Sequence, residues 1–438
     1  MLSINEEEEK LDLNGDFLKI LDLMENTNEN LFISGQAGTG KSTMIDYFRL
    51  HTKKNCVVLA PTGVAALNVK GQTIHSFFGF KPGVLPVDIK ETKNKQKALM
   101  YKKIDIIIID EVSMARADLV DCVDVFLRMH AKEPFLPFGG VQMILIGDLY
   151  QLPPVVTKEE EKMFYERYDS PYFFDSKVFK NFNFKYLELK MVYRQNETEF
   201  VNMLEAVRSG NIDDNFLDDI NQRVDNDVIK YLDNNYIYLA TTNFVAEKIN
   251  NDRLNLVVGD LIELAGSIVG EFPIDRLPTQ LTLTIKEGAQ VMLLTNDPQG
   301  RYVNGDIGKV KEIINDGVEQ KIMVEFPNKG VKLISPFRWE VVKYVFNKKE
   351  NKIETKSVGS FCQYPLKLAW AVTIHKSQGK TFDRVVVDFS GGVFASGQAY
   401  VALSRCRTLA GLVLKQPINK RFFFTDEKIK DFYKKLIK

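Results

Sequence analysis

Gly35-Gln36-Ala37-Gly38-Thr39-Gly40-Lys41-Ser42 fits the spacing G-x-x-x-x-G-K-[ST] without a gap or a substitution. The four residues before it, 31–34, are apolar enough for a short buried strand, and residues 43–49 after it favour a helix. A strand, a glycine-rich turn and a helix in this order form the geometry in which backbone N–H groups surround a triphosphate. The stretch therefore predicts a P-loop in an α/β fold, and the alternative is a glycine-rich turn that binds nothing.

The residue types in the loop assign roles to individual side chains. Lys41 would reach the β- and γ-phosphates, and the Ser42 hydroxyl would hold Mg²⁺. Glycines permit the tight backbone path. The predicted nucleotide-binding residues of the loop are Gly35, Gly38, Thr39, Gly40, Lys41, Ser42 and Thr43.

The composition is that of a globular protein with more than one domain. The chain has 438 residues, of which 45% are hydrophobic and 26% charged, and this length allows two or three domains with substantial cores. Lys+Arg and Asp+Glu both total 58, so the formal net charge is +0. Any surface for a polyanion must therefore be local, and charge alone favours an enzyme without a polymer partner.

The cysteines and the N-terminus indicate where such a protein would reside. The four cysteines are scattered without a Cys-x-x-Cys pair, which favours a reducing compartment over a zinc site or a disulfide framework. No apolar run approaches ~18 residues, and Glu6-Glu7-Glu8-Glu9 is unlike a targeting peptide. These features predict a cytoplasmic protein, nucleoid-associated if its source is bacterial, with no membrane partner.

Hydrophobic patterning predicts two α/β units. In the first, apolar runs at 31–34, 56–60, 104–109 and 141–146 alternate with helical segments, which indicates a parallel sheet interrupted by an excursion at about 73–103. A second unit begins near residue 186. Between 296 and 361, short alternating runs separated by turn signals predict a small antiparallel barrel inserted into that unit.

Further polar residues complete a hydrolytic site. Asp110 and Glu111 follow a strand so apolar that both its faces should be buried, which is the position of a metal-binding aspartate and a water-activating glutamate. Gln151 lies beyond the next strand, near enough to sense a γ-phosphate. Arg194 and Arg405 belong to the second unit and would offset charge on the transferring phosphoryl group if the two units clamp the nucleotide between them.

Nine short stretches form an ordered set along the chain: 35–43, 60–66 (Ala-Pro-Thr-Gly-Val-Ala-Ala), 73–79 (Thr-Ile-His-Ser-Phe-Phe-Gly), 110–114, 137–140 (Pro-Phe-Gly-Gly), 147–154, 193–195, 373–379 (Thr-Ile-His-Lys-Ser-Gln-Gly) and 400–406. Their order resembles that of the motif set of superfamily 1 DNA helicases, and the chain most resembles the Pif-one family, related to RecD and the phage Dda helicase. The resemblance covers residues 31 to about 412.

The resemblance implies an ATP-driven motor that moves 5′→3′ on single-stranded DNA and separates 5′-tailed or forked duplexes. It implies two RecA-like domains, 1–185 and 186–295 with 362–438, a pin-bearing insertion at about 73–103 and an SH3-like barrel at 296–361. ATP would lie between the domains, with Mg²⁺ at Ser42 and Asp110. Matching positions for hydrolysis are Lys41, Asp110, Glu111, Gln151, Arg194 and Arg405, and Gly379 would join the nucleotide-binding set.

The same resemblance implies a set of DNA contacts: Pro61, Thr62, Gly63, His75, Ser76, Phe77, Phe78, Thr373, His375, Lys376, Ser377 and Gln378. Small polar and cationic side chains beside strand ends suit contacts with phosphates. Phe77 and Phe78 have two open interpretations, since they could stack on bases or fill the core beneath a loop.

Three alternatives remain beside a monomeric helicase. One is a RecD- or Dda-like subunit that needs partners, a second is an ATP-switched DNA clamp that does not unwind, and a third is a P-loop enzyme for small molecules, which would leave the later motifs without a purpose. The chain also departs from the family in having no glutamine before Gln36 to read adenine.

Overall fold

A six-stranded parallel sheet forms the first unit of the protein, as seen in a computed structural model that describes residues 15–36, 38–191, 197–315 and 320–436. Its strands are β1 (Leu31–Gly35), β2 (Cys56–Ala60), β3 (Gln72–Thr73), β4 (Ile106–Ile109), β5 (Gln142–Gly147) and β6 (Lys185–Leu189). The spatial order is β3-β2-β4-β5-β1-β6, and every neighbouring pair is parallel.

Helices cover both faces of this sheet because its central strands are apolar on both sides. All four residues of β4 are isoleucine, and all are buried. The helices of this unit are α1 (Gly15–Asn26), α2 (Lys41–His51), α3 (Gly63–Asn68), α4 (Ile74–Phe78), α5 (Lys95–Lys102), α6 (Ala117–His130) and α7 (Lys158–Tyr165).

The second unit combines a short parallel sheet with antiparallel sheets. Its strands are β7 (Ile237–Ala240), β8 (Ile262–Ala265), β9 (Ser267–Gly270), β10 (Thr282–Ile285), β11 (Gln290–Leu293), β12 (Ile307–Asn315), β13 (Gln320–Phe326), β14 (Gly330–Ile334), β15 (Phe337–Asn347), β16 (Lys352–Gln363), β17 (Leu366–Leu368), β18 (Ala371–Thr373), β19 (Val385–Val387) and β20 (Leu412–Leu414). Its helices are α8 (Thr198–Ser209), α9 (Asp214–Asn221), α10 (Ile229–Leu232), α11 (Asn243–Leu256), α12 (Ile374–Ser377), α13 (Gln398–Leu403) and α14 (Glu427–Leu436).

Strand pairing separates the parallel and antiparallel parts of this second unit. The parallel sheet has the order β18-β7-β19-β20, and the antiparallel sheets have the orders β14-β13-β12-β11-β17, β15-β16-β9 and β10-β8. Residues 366–373 form two strands rather than one, since β17 pairs with β11 while β18 pairs with β7. The chain therefore passes from one sheet to the other within residues 369–370.

Three boundaries differ from the sequence prediction. Strand β6 pairs with β1, so the first sheet extends to Leu189 rather than ending at residue 185. Antiparallel pairing begins at β8 and includes β17, so it is wider than the predicted barrel at 296–361. The C-terminal α14 packs its Ile429 and Tyr433 into the core of the first unit, although the prediction placed its residues in the second.

The long β15–β16 hairpin of the second unit docks on the first sheet. The Tyr344 hydroxyl accepts a hydrogen bond from Val58 N (2.9 Å) and donates one to Val58 O (3.2 Å), at a point on β2 that the short β3 does not reach. Ile353 N also donates to Asn55 Oδ1 at 2.8 Å. Buried main-chain groups need such partners, so the hairpin completes the edge of the first sheet. Within the described ranges, no helix has the length and apolar character that crossing a bilayer requires.

Candidate functional site

The P-loop connects β1 to the first turn of α2, as predicted. Gly38 and Gly40 have φ of 90° and 83°, in the left-handed region that favours glycine. A Cβ on Gly35 would lie 2.6 Å from Thr39 Oγ1, so a side chain there would displace the threonine. Ser42 and Thr43 are exposed on the first turn of α2, whereas Thr39 is buried. Ala37 lies outside the described residues.

In this structure the P-loop lysine is hydrogen-bonded to main-chain oxygens of the loop itself. Lys41 Nζ donates to the main-chain oxygens of Gly35 (2.7 Å) and Gln36 (2.8 Å). The Gln36 side chain donates to a carboxylate oxygen of Glu205 on α8, across the boundary between the two units. Nucleotide entry therefore requires Lys41 to exchange carbonyl oxygens for phosphate oxygens.

The predicted acidic pair stands at the end of β4, in the same sheet as the P-loop. Asp110 is buried, and Glu111 is half-buried with a left-handed backbone (φ 51°, ψ 42°), a conformation that non-glycine residues adopt mainly where the surroundings enforce it. Burial, followed by repulsion from Glu111, raises the pKa of Asp110 to about 7, and the charge of Lys41 opposes the shift. A nearby cation favours the ionised carboxylate, so this pair fits a metal ion.

Gln151 and Gln378 meet at this acidic pair from opposite units. Gln378 Nε2 donates to Glu111 Oε2 at 3.2 Å and to Gln151 Oε1 at 3.1 Å. Gln151 is buried in the turn after β5 and donates more weakly to Asp148 (3.4 Å). A Cβ on Gly397 would lie 2.2 Å from Tyr150 O, which shows how closely the two units approach here. The structure therefore brings Gln378, predicted as a DNA contact, against two residues of the predicted hydrolytic site.

Arg405 lies inside the second unit. Its side chain is fully buried, and it donates to the carbonyls of Val401 (2.8 Å), Lys380 (3.2 Å) and Ser377 (3.4 Å) and to the Ser404 hydroxyl (2.8 Å). It thus supports the loop that carries Gln378, and reaching a phosphate would require it to leave these partners. Gly379 in that loop is exposed with φ 78°. Arg194 lies outside the described residues.

Threonines cap the short helices that follow three of the parallel strands. Thr62 Oγ1 accepts from Ala65 N (3.3 Å), Thr73 Oγ1 from Ser76 N (3.2 Å) and Thr373 Oγ1 from Lys376 N (3.3 Å). Such N-caps satisfy main-chain donors that the helix leaves unpaired. Each hydroxyl proton then remains to be donated elsewhere. Pro61, Gly63, His75 and Ser76 are half-buried beside these caps, His375 and Lys376 are exposed, and Ser377 is buried.

Phe77 and Phe78 fill the core, which is the second of their two interpretations. They are 3% and 6% exposed, and they pack edge-on with centroids 4.8 Å apart. Tyr101 contacts both rings and donates its hydroxyl to Phe77 O at 2.9 Å. These faces are therefore occupied by protein, and stacking on DNA bases is wrong for this arrangement.

Three lysines gather beside the loop that carries Gln378. Burial lowers the pKa of Lys367 to about 7, with repulsion from Lys380 and Lys376 adding to the shift, and burial also lowers that of Lys380 to about 8. Lys380 Nζ donates to Asn304 Oδ1 at 2.7 Å. A cluster of cations at a sheet edge suits a phosphate group. Sequence reasoning named only Lys376 of the three.

Two other residues were missed by sequence reasoning. Arg208 is buried on α8 within 3.4 Å of Asp148, Glu188 and Glu205, so it links the P-loop partner Glu205 to the turn after β5 that carries Gln151. Thr242 caps α11 after β7, as Thr62 caps α3 after β2. The polar run Thr241-Thr242-Asn243 after an apolar strand was a signal for Thr242, whereas an arginine within a helical pattern gave none for Arg208.

Comparison with known proteins places these features in one family. Residues 13–217 match the family model of PIF1-like helicases. The chain is 30% identical to the ATP-dependent DNA helicase Pif1 of Campylobacter jejuni, over 93% of this chain and 95% of that protein.

Solved structures of Pif1 from Bacteroides sp. share the whole fold. The unliganded form has a TM-score of 0.88 at 37% identity, and the form in complex with ADP-AlF4 has 0.90 at 38%. The form bound to single-stranded DNA has 0.68 at 37%, and each match covers 97% of both chains. With its motifs in order, a sheet that carries P-loop and acidic pair, and this likeness along nearly its full length, the chain belongs to the PIF1-like helicase family.

Proposed function

We propose that this chain is an ATP-dependent DNA helicase that moves 5′→3′ on single-stranded DNA and unwinds 5′-tailed or forked duplexes. The observation that carries the proposal is the position of Gln378. It follows the exposed His375 and Lys376, which suit DNA phosphates, and its amide reaches Glu111 and Gln151 in the nucleotide site. A segment that contacts DNA and the hydrolytic residues at once is what a DNA-coupled motor needs.

The P-loop residues and the acidic pair account for hydrolysis in this proposal. Lys41 and the N–H groups of the loop hold the phosphates, and Glu111 and Gln151 orient the attacking water. Ser42 and Asp110 would hold Mg²⁺, which supplies positive charge to the phosphate oxygens when it is bound. Arg194 and Arg405 stay predictions for charge stabilisation from the second unit.

We assign the strand-separating pin to the excursion at about 73–103. Its support is Val87, an apolar side chain that is 83% exposed in the turn Pro86–Asp88. Exposed apolar side chains of this kind can wedge between base pairs. The antiparallel part of the second unit takes the place of the SH3-like element, and we propose that the protein acts as a monomer.

The test is the steady-state ATPase rate with and without single-stranded DNA, with Lys41→Ala as the control. We expect strong stimulation by DNA in the wild type and a loss of about 100-fold or more in the variant, because the lysine stabilises charge on the transferred group. A rate that DNA does not change would overturn the helicase proposal and leave a P-loop enzyme for small molecules.

A second assay separates the remaining alternatives. The isolated chain should unwind a 5′-tailed duplex and leave a 3′-tailed duplex intact. DNA-stimulated hydrolysis without unwinding would indicate the ATP-switched clamp, or a RecD- or Dda-like subunit that needs a partner.

A further inference from the structure

The side-chain amide of Gln378 occupies a particular position between two groups of the first unit. Its nitrogen donates to Glu111 Oε2 at 3.2 Å and to Gln151 Oε1 at 3.1 Å, so one N–H₂ group uses both of its protons on these acceptors. Gln151 is buried and Glu111 is half-buried, so both contacts are sheltered from bulk water.

The same two acceptors are the ones that hydrolysis needs. In the proposed reaction the water oxygen bonds to the γ-phosphorus, the bond from that phosphorus to the β–γ bridging oxygen breaks, ADP leaves, and Glu111 takes the water proton. The attacking water must donate to Glu111 and be oriented by Gln151. An amide nitrogen already bound to both groups stands in for that water.

The loop that carries Gln378 is hydrogen-bonded by Arg405 and follows directly after two predicted DNA contacts. Arg405 donates to Ser377 O and Lys380 O, the main-chain oxygens on either side of Gln378 and Gly379. Gln378 N donates to His375 O at 3.2 Å. Because His375 and Lys376 are exposed and Gly379 has φ 78°, a shift of the short α12 turn can be passed to Gln378 at a position that tolerates backbone change.

We propose that Gln378 is a positioning residue that suppresses hydrolysis in the absence of DNA, by occupying with its amide the place of the attacking water between Glu111 and Gln151. Binding of a phosphodiester strand at His375 and Lys376 draws the α12 turn and its following loop away, and water then enters. The inference rests on the proposed function, because it takes Glu111 and Gln151 as the groups that orient the water.

The test is the ATPase rate of Gln378→Ala without DNA. Loss of the two hydrogen bonds frees the acceptors, so kcat without DNA should rise about tenfold, while KM for ATP changes less than about twofold. The ratio of the rates with and without DNA should fall accordingly. Gln378→Asn, whose amide is one methylene too short to reach both acceptors, should behave in the same way and serves if the alanine variant does not fold.

Gln222→Ala is the matched control, because Gln222 is exposed at the end of α9. Its rates should equal those of the wild type. A DNA-free kcat of Gln378→Ala equal to or below the wild-type value overturns the inference. That outcome is distinct from failure of the proposed function, in which DNA would not stimulate the wild type at all.

Discussion

Lys367 is a single side chain whose burial has a consequence for stability. It lies on the edge strand β17, opposite Met292, and its pKa is lowered from 10.5 to about 7 mainly by burial. Between these two values the unfolded chain binds a proton that the folded chain does not, so the free energy of unfolding rises with pH in this window. Below about pH 7 the folded chain also carries this proton, and the cost of the ammonium at its half-buried position is then greatest.

Lys367→Met should therefore stabilise the protein at low pH and less at high pH. We expect a gain on the order of 1 kcal/mol at pH 6.5 that shrinks by pH 9, because the wild-type lysine is then neutral in the folded state. Urea unfolding at both pH values measures it. Lys311→Met, at an exposed position of β12, is the control, and equal effects of the two substitutions at both pH values would contradict the prediction.

At the scale of residues, the sequence predicted the chemical roles of side chains better than it predicted their contact partners. The P-loop and the acidic pair follow from spacing, because their roles depend on main-chain geometry that the motif itself dictates. The partners of Gln378 and Arg405 could not be predicted in this way. Their motifs indicate only that a polar or charged residue lies near the end of an element. Whether that residue contacts DNA, nucleotide or protein depends on how the two units meet. Phe77 and Phe78 were ambiguous because an aromatic pair suits both a core and a stacking surface.

Helix α14 is an element that crosses from one unit to the other. The chain leaves the second unit after β20, and α14 then packs its Ile429 and Tyr433 into the core of the first unit. Tyr433 shares a hydrogen bond of 2.9 Å with Ser34 Oγ, the residue before Gly35, and its ring stacks on Tyr150 with centroids 5.0 Å apart. This helix therefore supports both the strand that leads into the P-loop and the residue that precedes Gln151.

Tyr433→Ala should destabilise the protein by roughly 3 kcal/mol, because it leaves a cavity and removes the hydrogen bond to Ser34, whereas Tyr433→Phe loses only the hydrogen bond and should cost about 1 kcal/mol. Denaturant unfolding followed by circular dichroism measures both. Lys434→Ala on the exposed side of the same helix should change stability by less than about 0.5 kcal/mol. Equal losses for Tyr433→Ala and Lys434→Ala would show that α14 does not brace the first sheet.

Helices and strands could be predicted from the sequence where the periodicity of their hydrophobic residues was clear. The parallel strands of the first sheet have strong apolar patterns, and four of them lie at nearly the predicted places. Strands β8, β9 and β10 were missed because each is only four residues long and two of them have several exposed side chains, which gives no sustained alternation. Pairing with distant strands, rather than local pattern, determines them.

At the scale of the whole molecule, the two-unit architecture follows from the motif order, but the mutual arrangement of the parts does not. The β15–β16 hairpin rests on the first unit through Tyr344 and Ile353, and residues of α5 and β15 line a cavity of about 400 Å³. No local sequence pattern in the hairpin predicts this contact, because its partner is the edge of β2, some three hundred residues earlier in the chain.

The comparisons indicate that this arrangement is one of at least two in the family. For Pif1 from Bacteroides, the TM-score to this structure is 0.88 in the unliganded form and 0.68 in the form bound to single-stranded DNA. The sequence identity of 37% and the coverage are the same in both comparisons. Because sequence divergence is equal in the two comparisons, the difference reports a change in the arrangement of the relative's parts. The form in complex with ADP-AlF4 has a TM-score of 0.90, so the relative with nucleotide alone keeps the arrangement seen in this structure.

We therefore expect the hairpin to move away from α5 when single-stranded DNA binds. Fluorophores on Lys97→Cys in α5 and Lys348→Cys at the hairpin turn, two exposed positions that border the same cavity, should show high energy transfer in the free protein. Transfer should fall on adding single-stranded DNA and stay high with ADP-AlF4 alone. Cys56→Ser and Cys362→Ser remove the two half-buried native thiols, whereas Cys122 and Cys406 are buried, which raises their thiol pKa to about 12 and disfavours labelling. Transfer that is unchanged at saturating DNA would contradict the prediction and would mean that this chain binds DNA with the hairpin in place.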